Sequence, residues 1–197
     1  MTDSKNQILQ TALDFFLKNS YKEVSLRDIV DKVGLTKGAF YHYYSSKEQL
    51  FEEVVKYFYN NALVSNYSNF PKTSLKEFYE NYLLVIQNPD EFDDDENGYN
   101  IFMFLSEAYK KVPDFVEIHM AQRKKERWAW AEIVETAKRS KEIKTHISNE
   151  DLAIMFLDIS DGVMVNMTLG QKIGQDSLID LKKDWDNLYS LVKVDKR

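Results

Sequence analysis

The stretch SLRDIVDKVGLTKGAFYHYYSSKEQLFEEV, residues 25–54, decides the fold of this 197-residue chain. Ser25 precedes an apolar set at helical spacing, Leu26, Ile29, Val30 and Val33, with Asp28 three residues on. Its hydroxyl can therefore accept from a backbone N–H left over at a helix start. Gly34 closes that short helix, because glycine takes the left-handed conformation of a C′ position without a Cβ penalty. Thr36 can cap a third helix that follows at once, with Ala39, Phe40 and Tyr43 as its inward groups. Two short helices joined by a glycine turn make a helix-turn-helix. Ser46 with Gln49 then opens a longer helix through Leu50, Phe51, Val54, Val55 and Phe58.

Outward from this segment the chain reads as helix in both directions. Upstream, Ile8, Leu9, Ala12, Leu13, Phe16 and Leu17 place one buried face on a helix that ends before Tyr21. Downstream, Ser74 with Glu77 opens a helix near residues 74–87, and another is expected from Tyr99 to Lys110. Pro113, as the first helical residue, starts a long one reaching Ser140. Ser148 opens the next, which ends at Gly170, and Asp176 or Ser177 caps the last, which reaches Lys193. The expected class is all-α with about nine helices and no strand. A three-helix helix-turn-helix domain would occupy residues 1–46 and a larger helical domain residues 47–197.

Composition agrees. Six Gly and three Pro suit long helices better than a many-turned sheet sandwich, and the absence of Cys removes disulfides, thiolate catalysis and Cys-based metal sites. The N-terminus lacks a basic segment followed by an apolar one, and no later window is long enough to span a bilayer. A cytoplasmic protein without membrane contact is expected. The net charge of −6 argues at first against a nucleic-acid partner. Its distribution removes the objection: residues 1–60 carry eight basic and eight acidic groups, and the rest of the chain 18 basic against 24 acidic.

On the capped helix, Gly34 at the turn, Thr36-Lys37-Gly38, the aromatic run Phe40-Tyr41-His42-Tyr43-Tyr44 and Lys47 opening the fourth helix, residues 25–54 resemble the signature segment of the TetR family. Val30 and Val33 stand where that family usually has Ala, and Tyr44 where Phe is commoner; these departures touch packing rather than chemistry. The resemblance implies a homodimeric, sequence-specific DNA-binding transcription regulator, most commonly a repressor. It further implies a C-terminal domain that binds a small ligand and dimerises, and a ligand that displaces the fourth helix and moves the two heads out of register. Thr36, Lys37 and Gly38 suit the start of a recognition helix, where side chains and bare backbone approach base edges, and Tyr41 and His42 extend that face. The resemblance makes Ser25, Arg27, Tyr43 and Lys47 backbone-phosphate clamps; Tyr44 is read as a core aromatic, and Tyr43 equally as clamp or core.

The family also implies that the last two helices of each chain pack with the partner's. Independently, Leu178, Leu181, Trp185, Leu188 and Val192 form an apolar seam at three- and four-residue steps, which serves either a dimer or an intramolecular core. Leu152, Phe156 and Val163 on the preceding helix, apolar almost all round, would join that interface. Phe58, Tyr59, Tyr82, Phe102, Met103, Trp128, Trp130 and Met155 are candidate liners of an apolar ligand pocket, though each taken singly is read first as core.

Other functions have less support. Asp93-x-Asp95-x-Asn97-Gly98 matches the first half of a calcium loop, but Phe104 stands where the bidentate Glu belongs. The histidines, at 42, 119 and 146, form no metal-binding pair, and no Gly-x-Ser-x-Gly elbow is present, so no metal, cofactor or catalytic residue is expected. Arg123-Lys124-Lys125-Glu126-Arg127 reads as a solvated helix face. The alternatives carried forward are a DNA-binding protein that senses another protein or nothing at all, and a helical enzyme.

Overall fold

The computed structural model of the chain describes residues 2–62, 67–86, 100–170 and 175–195. Among the described residues there are nine α-helices and, outside them, one isolated antiparallel bridge between Ile143 and Lys193. The helices are α1 (Thr2–Lys18), α2 (Leu26–Val33), α3 (Lys37–Tyr43), α4 (Lys47–Tyr57), α5 (Leu75–Ile86), α6 (Ile101–Lys111), α7 (Phe115–Arg139), α8 (Asn149–Gly170) and α9 (Gln175–Val192). A π-helical turn, Phe58–Ala62, extends α4. Helix α7 starts later than Pro113 would place it: the Phe115 N–H bonds to the Val112 carbonyl, and Pro113 lies in the turn between. The acidic Asp93–Gly98 motif lies outside the described residues.

The chain forms two compact units, Met1–Leu63 with Asp94–Met120, and Val64–Asp93 with Ala121–Arg197. Packing therefore does not divide at residue 46: α4 belongs with α1–α3, together with α6 and the first turns of α7. In unit 1 every apolar residue expected on the α1 face is buried, Ile8, Leu9, Ala12, Leu13, Phe16 and Leu17. Phe51 from α4 meets Phe16 and Tyr21 edge-on at 4.8 and 4.9 Å, the arrangement that ring quadrupoles favour.

The caps are those the residues dictate. Ser25 Oγ accepts from the Arg27 and Asp28 amides, Thr36 Oγ1 from Ala39, and Ser46 Oγ from Gln49. Gly34 sits at φ 75°, and its amide bonds back to the Val30 and Asp31 carbonyls. A Cβ at Gly34 would meet nothing within 4 Å, so Gly34→Ala isolates the conformational cost. It should lower stability by about 1 kcal/mol in a denaturant titration followed by circular dichroism; an unchanged midpoint would refute the assignment of Gly34 as an obligatory turn residue.

In unit 2 the core is aromatic, with Trp130, Trp185, Tyr79 and Phe156 all fully buried. The Trp185 indole N–H donates to the Phe156 carbonyl at 2.8 Å and ties α9 to α8. The seam on α9 is part of this core. Leu181, Trp185, Leu188 and Val192, with Leu152 and Phe156 on α8, are each at most 7% exposed within one chain. That corrects their assignment to a dimer interface: the stripe is consumed by α8 and α5, which pack on α9. Val163 is half-buried, and Leu178 lies outside the residues whose side chains are described.

Glu142, in the turn after α7, holds three elements together. Its carboxylate accepts from Ser74 Oγ (2.8 Å), from the Leu75 and Lys76 amides that open α5 (2.9 and 3.1 Å), and from Tyr189 Oη on α9 (3.1 Å). Its carbonyl accepts from the Val194 amide, and the Val192 carbonyl accepts from Lys144. A carboxylate at a helix start satisfies orphan N–H groups and complements the helix dipole.

Candidate nucleic-acid interface

Helix α3 rests on a hydrophobic base and turns one face outward. Phe40 (0%) and Tyr44 (1%) are buried with their rings 5.8 Å apart, so Tyr41 and His42 between them face away. Thr36, Lys37, Gly38, Tyr41 and His42 are all exposed, and Tyr41 shows 45% of its surface. The Lys37 ammonium stands 5.9 Å from the Tyr41 ring centroid, one helical turn away, an arrangement that aligns two groups able to donate to base edges or phosphate. Gly38 has nothing within 4 Å of a built Cβ, leaving its backbone open to close approach.

The flanking residues fall into two groups. Arg27 projects from α2, its side chain 87% exposed, with Asp31 3.5 Å away as an exposed i,i+4 neighbour that offers little competition to a phosphate. Ser25 spends its lone pairs on the α2 amides and keeps its O–H for donation. Tyr43 is half-buried against the core, and Tyr44 is wholly core, its hydroxyl without a hydrogen-bond partner and its pKa pushed up to about 12 by burial and by the charge of Glu53.

Lys47 is turned inward: its ammonium donates to the Tyr21 carbonyl and lies 4.2 Å from the Tyr21 ring centroid. Burial pulls its pKa down. Lys111, at the end of α6, stands 4.1 Å from the centroid of the same ring, and Tyr21 Oη donates to Glu48 at 3.0 Å. Burial, then Glu48, pushes the Tyr21 phenol up to about 12, so it remains a donor at neutral pH. Lys111 was not among the residues expected at this site, because only the packing of α6 in unit 1 brings it to Tyr21 and no local pattern announces such a contact.

The candidate pocket residues are divided between the two units. Tyr82 and Trp130 meet in unit 2 at 6.1 Å. Trp128 (65%) and Met155 (42%) face outward there, since one stands two residues from buried Trp130 and the other one residue from buried Phe156, and residues one or two apart point to different sides of a helix. In unit 1, Phe58 is core, Tyr59 is buried and hydrogen-bonds His119 Nδ1 at 2.8 Å, and Phe102 and Met103 are 47% and 45% exposed. Among the described residues, no cluster of acidic or histidine side chains could hold a metal ion, and no helix is long and apolar enough to cross a membrane.

A capped three-helix head with an exposed polar face on its third helix has the architecture of a helix-turn-helix DNA-binding domain. Residues 8–54 match the family model of bacterial regulatory proteins of the tetR family. It is 26% identical over 133 residues to the HTH-type transcriptional repressor KstR2 of Mycolicibacterium smegmatis, a match covering 66% of this chain and 63%, less than two thirds, of that relative. It is 24% identical over 202 residues to IcaR of Staphylococcus epidermidis, the HTH-type negative transcriptional regulator of the biofilm operon icaADBC, covering 96% and 97% of the two chains. A TetR transcription regulator from Haloarcula marismortui superposes with a TM-score of 0.77 at 15% identity over 98% of this chain and 100% of the other. A putative TetR/AcrR-family regulator gives 0.74 at 20% identity over 96% and 100%, and these two likenesses establish the fold.

Proposed function

We propose that this regulator is a homodimeric, cytoplasmic repressor that binds a palindromic operator through two copies of α3 and is released by a small ligand held in unit 2. The observation that carries the DNA-reading part is the row Thr36, Lys37, Gly38, Tyr41 and His42, exposed together above buried Phe40 and Tyr44. Repression is supported by the relatives, KstR2 being a repressor and IcaR a negative regulator. The seam on α9 is core, so dimerisation falls to the outward faces of α8 and α9, where Met155, Ile179 and Leu191 are 42%, 62% and 82% exposed. A two-fold dimer would present two recognition helices to successive major-groove turns.

Selection of genomic fragments by the purified protein, followed by anisotropy titration of the recovered site at several salt concentrations, tests this reading. Two protomers should bind per palindrome, and the logarithm of the affinity should fall linearly with the logarithm of salt, with a slope of about −0.9 per phosphate contact. Binding of a single protomer, or recovery of no preferred sequence, would overturn it.

A further inference from the structure

We infer that Lys111, at the end of α6, contacts the phosphate backbone of bound DNA beside the start of α4, and that Lys47 instead holds the turn against which that contact is built. The inference rests on the DNA-binding role proposed above and adds to it a residue from outside the three-helix head. All the groups concerned lie in unit 1, so one compact body carries both the reading face of α3 and Lys111.

The start of α4 borders the groove-reading helix. Helix α3 ends at Tyr43 and α4 begins at Lys47. Four residues span at most about 14 Å of chain, and the major groove is about 12 Å wide with a phosphate strand along either side. A cation at the start of α4 therefore stands within reach of a strand that flanks α3 in the groove. Lys47 is the cation that the chain itself places there, yet its ammonium donates to the Tyr21 carbonyl and lies against the Tyr21 ring. Burial, and after it the charge of Lys111, pulls the Lys47 pKa down, while Glu48 acts the other way.

Lys111 is free to do what Lys47 is not. It is exposed, and its ammonium stands 4.1 Å from the centroid of the same ring. The carboxylates around the ring are engaged elsewhere. Glu48 accepts from Tyr21 Oη at 3.0 Å, and from the Ser46 side chain and its own amide at the start of α4. Glu107 pairs with Lys110 at 3.9 Å, and among the described residues Lys111 forms no ion pair. Two ammonium groups about one ring, with a single carboxylate on its hydroxyl, leave a positive surplus at the surface. A phosphate that meets this surplus gives up its condensed counterions, which ties binding to salt. A lysine ammonium is a point charge and phosphates carry no sequence information, so Lys111 should act on every duplex alike.

Anisotropy titrations of the full chain against the selected operator and a scrambled duplex, repeated across a range of salt, test the assignment with Lys111→Gln, Lys111→Arg and Lys47→Gln. Lys111→Gln should weaken both duplexes alike, by about three- to tenfold at about 0.1 M salt, and should make the salt slope shallower by about 0.9 for each protomer bound. Its melting temperature should stay within about 3 °C of the parent, because an exposed cation–π contact is all that the fold loses. Lys111→Arg keeps the charge and should keep the parental slope. Lys47→Gln should lower the melting temperature more than Lys111→Gln does and change the slope less.

The salt slope is the deciding quantity, since a charge that served only the end of α6 and the Tyr21 ring would alter stability without altering counterion release. A parental slope in Lys111→Gln, a loss confined to the operator, or a slope loss that follows Lys47→Gln instead would each overturn the inference. If the parent binds both duplexes and Lys111→Gln matches its slope, the DNA-binding role stands and this contact falls. If the parent binds neither duplex at low salt, both fall together.

Discussion

A chain carrying both Lys37→Ala and Tyr41→Ala should bind its operator about a hundredfold more weakly than the parent while folding normally. Both side chains lie on the exposed face of α3. A base-reading contact contributes about 1–3 kcal/mol of discrimination, so two contacts at the lower half of that range total about 3 kcal/mol. Neither residue is part of the buried core, and stability should change by no more than about 0.5 kcal/mol per site. The single variants separate two roles. If Lys37 reads a base, its loss relaxes preference at one position of the site; if it holds phosphate, affinity falls for all sequences alike and the salt slope shrinks by about 1. Anisotropy titrations against the selected operator and a scrambled duplex make the distinction. Full selective affinity in the double variant would remove α3 as the reading element.

Glu142→Ala should destabilise unit 2 by about 3 kcal/mol, since it leaves Ser74 Oγ, the Leu75 and Lys76 amides and Tyr189 Oη without their common acceptor. Hydrogen bonds to a charged group contribute about 1.5–3 kcal/mol each, but four that share one carboxylate are not additive. Glu142→Gln retains one acceptor oxygen and should cost about 1 kcal/mol. The measurement is direct, because Trp128, Trp130 and Trp185 all belong to unit 2 and their fluorescence in a urea titration follows that unit alone. An alanine variant that unfolds at the parental midpoint would show that α5, α9 and the α7–α8 turn hold together without this residue.

The head was legible because its signals are local. Ser25, Gly34, Thr36 and Ser46 each act on backbone groups within four residues, so reading them needs no knowledge of what lies elsewhere. The inward placement of Phe40 followed equally from spacing on a short helix. Beyond the head, periodicity identifies an apolar stripe and is silent on what covers it. The steps Leu181, Trp185, Leu188 and Val192 suit a partner chain as well as they suit α8 and α5, and the intramolecular neighbours won. Trp128 and Trp130 were grouped because they are alike in chemistry, yet two residues on a helix are about 200° apart, and one is 65% exposed while the other is fully buried. Glu142 and Lys111 gave no signal because their partners are about 50 to 90 residues away along the chain, where only the finished packing can introduce them.

The Glu142 junction also sets a timetable for synthesis. Its last contributors, Tyr189, Val192 and Val194, are made more than a hundred residues after the start of α5, which waits for them. Unit 1 has all of its residues once Met120 has emerged, and unit 2 closes only after Val194 has been made. A message cut between the codons of Met120 and Tyr189 would therefore yield a complete first unit and an unfinished second one, a product exposed to proteases.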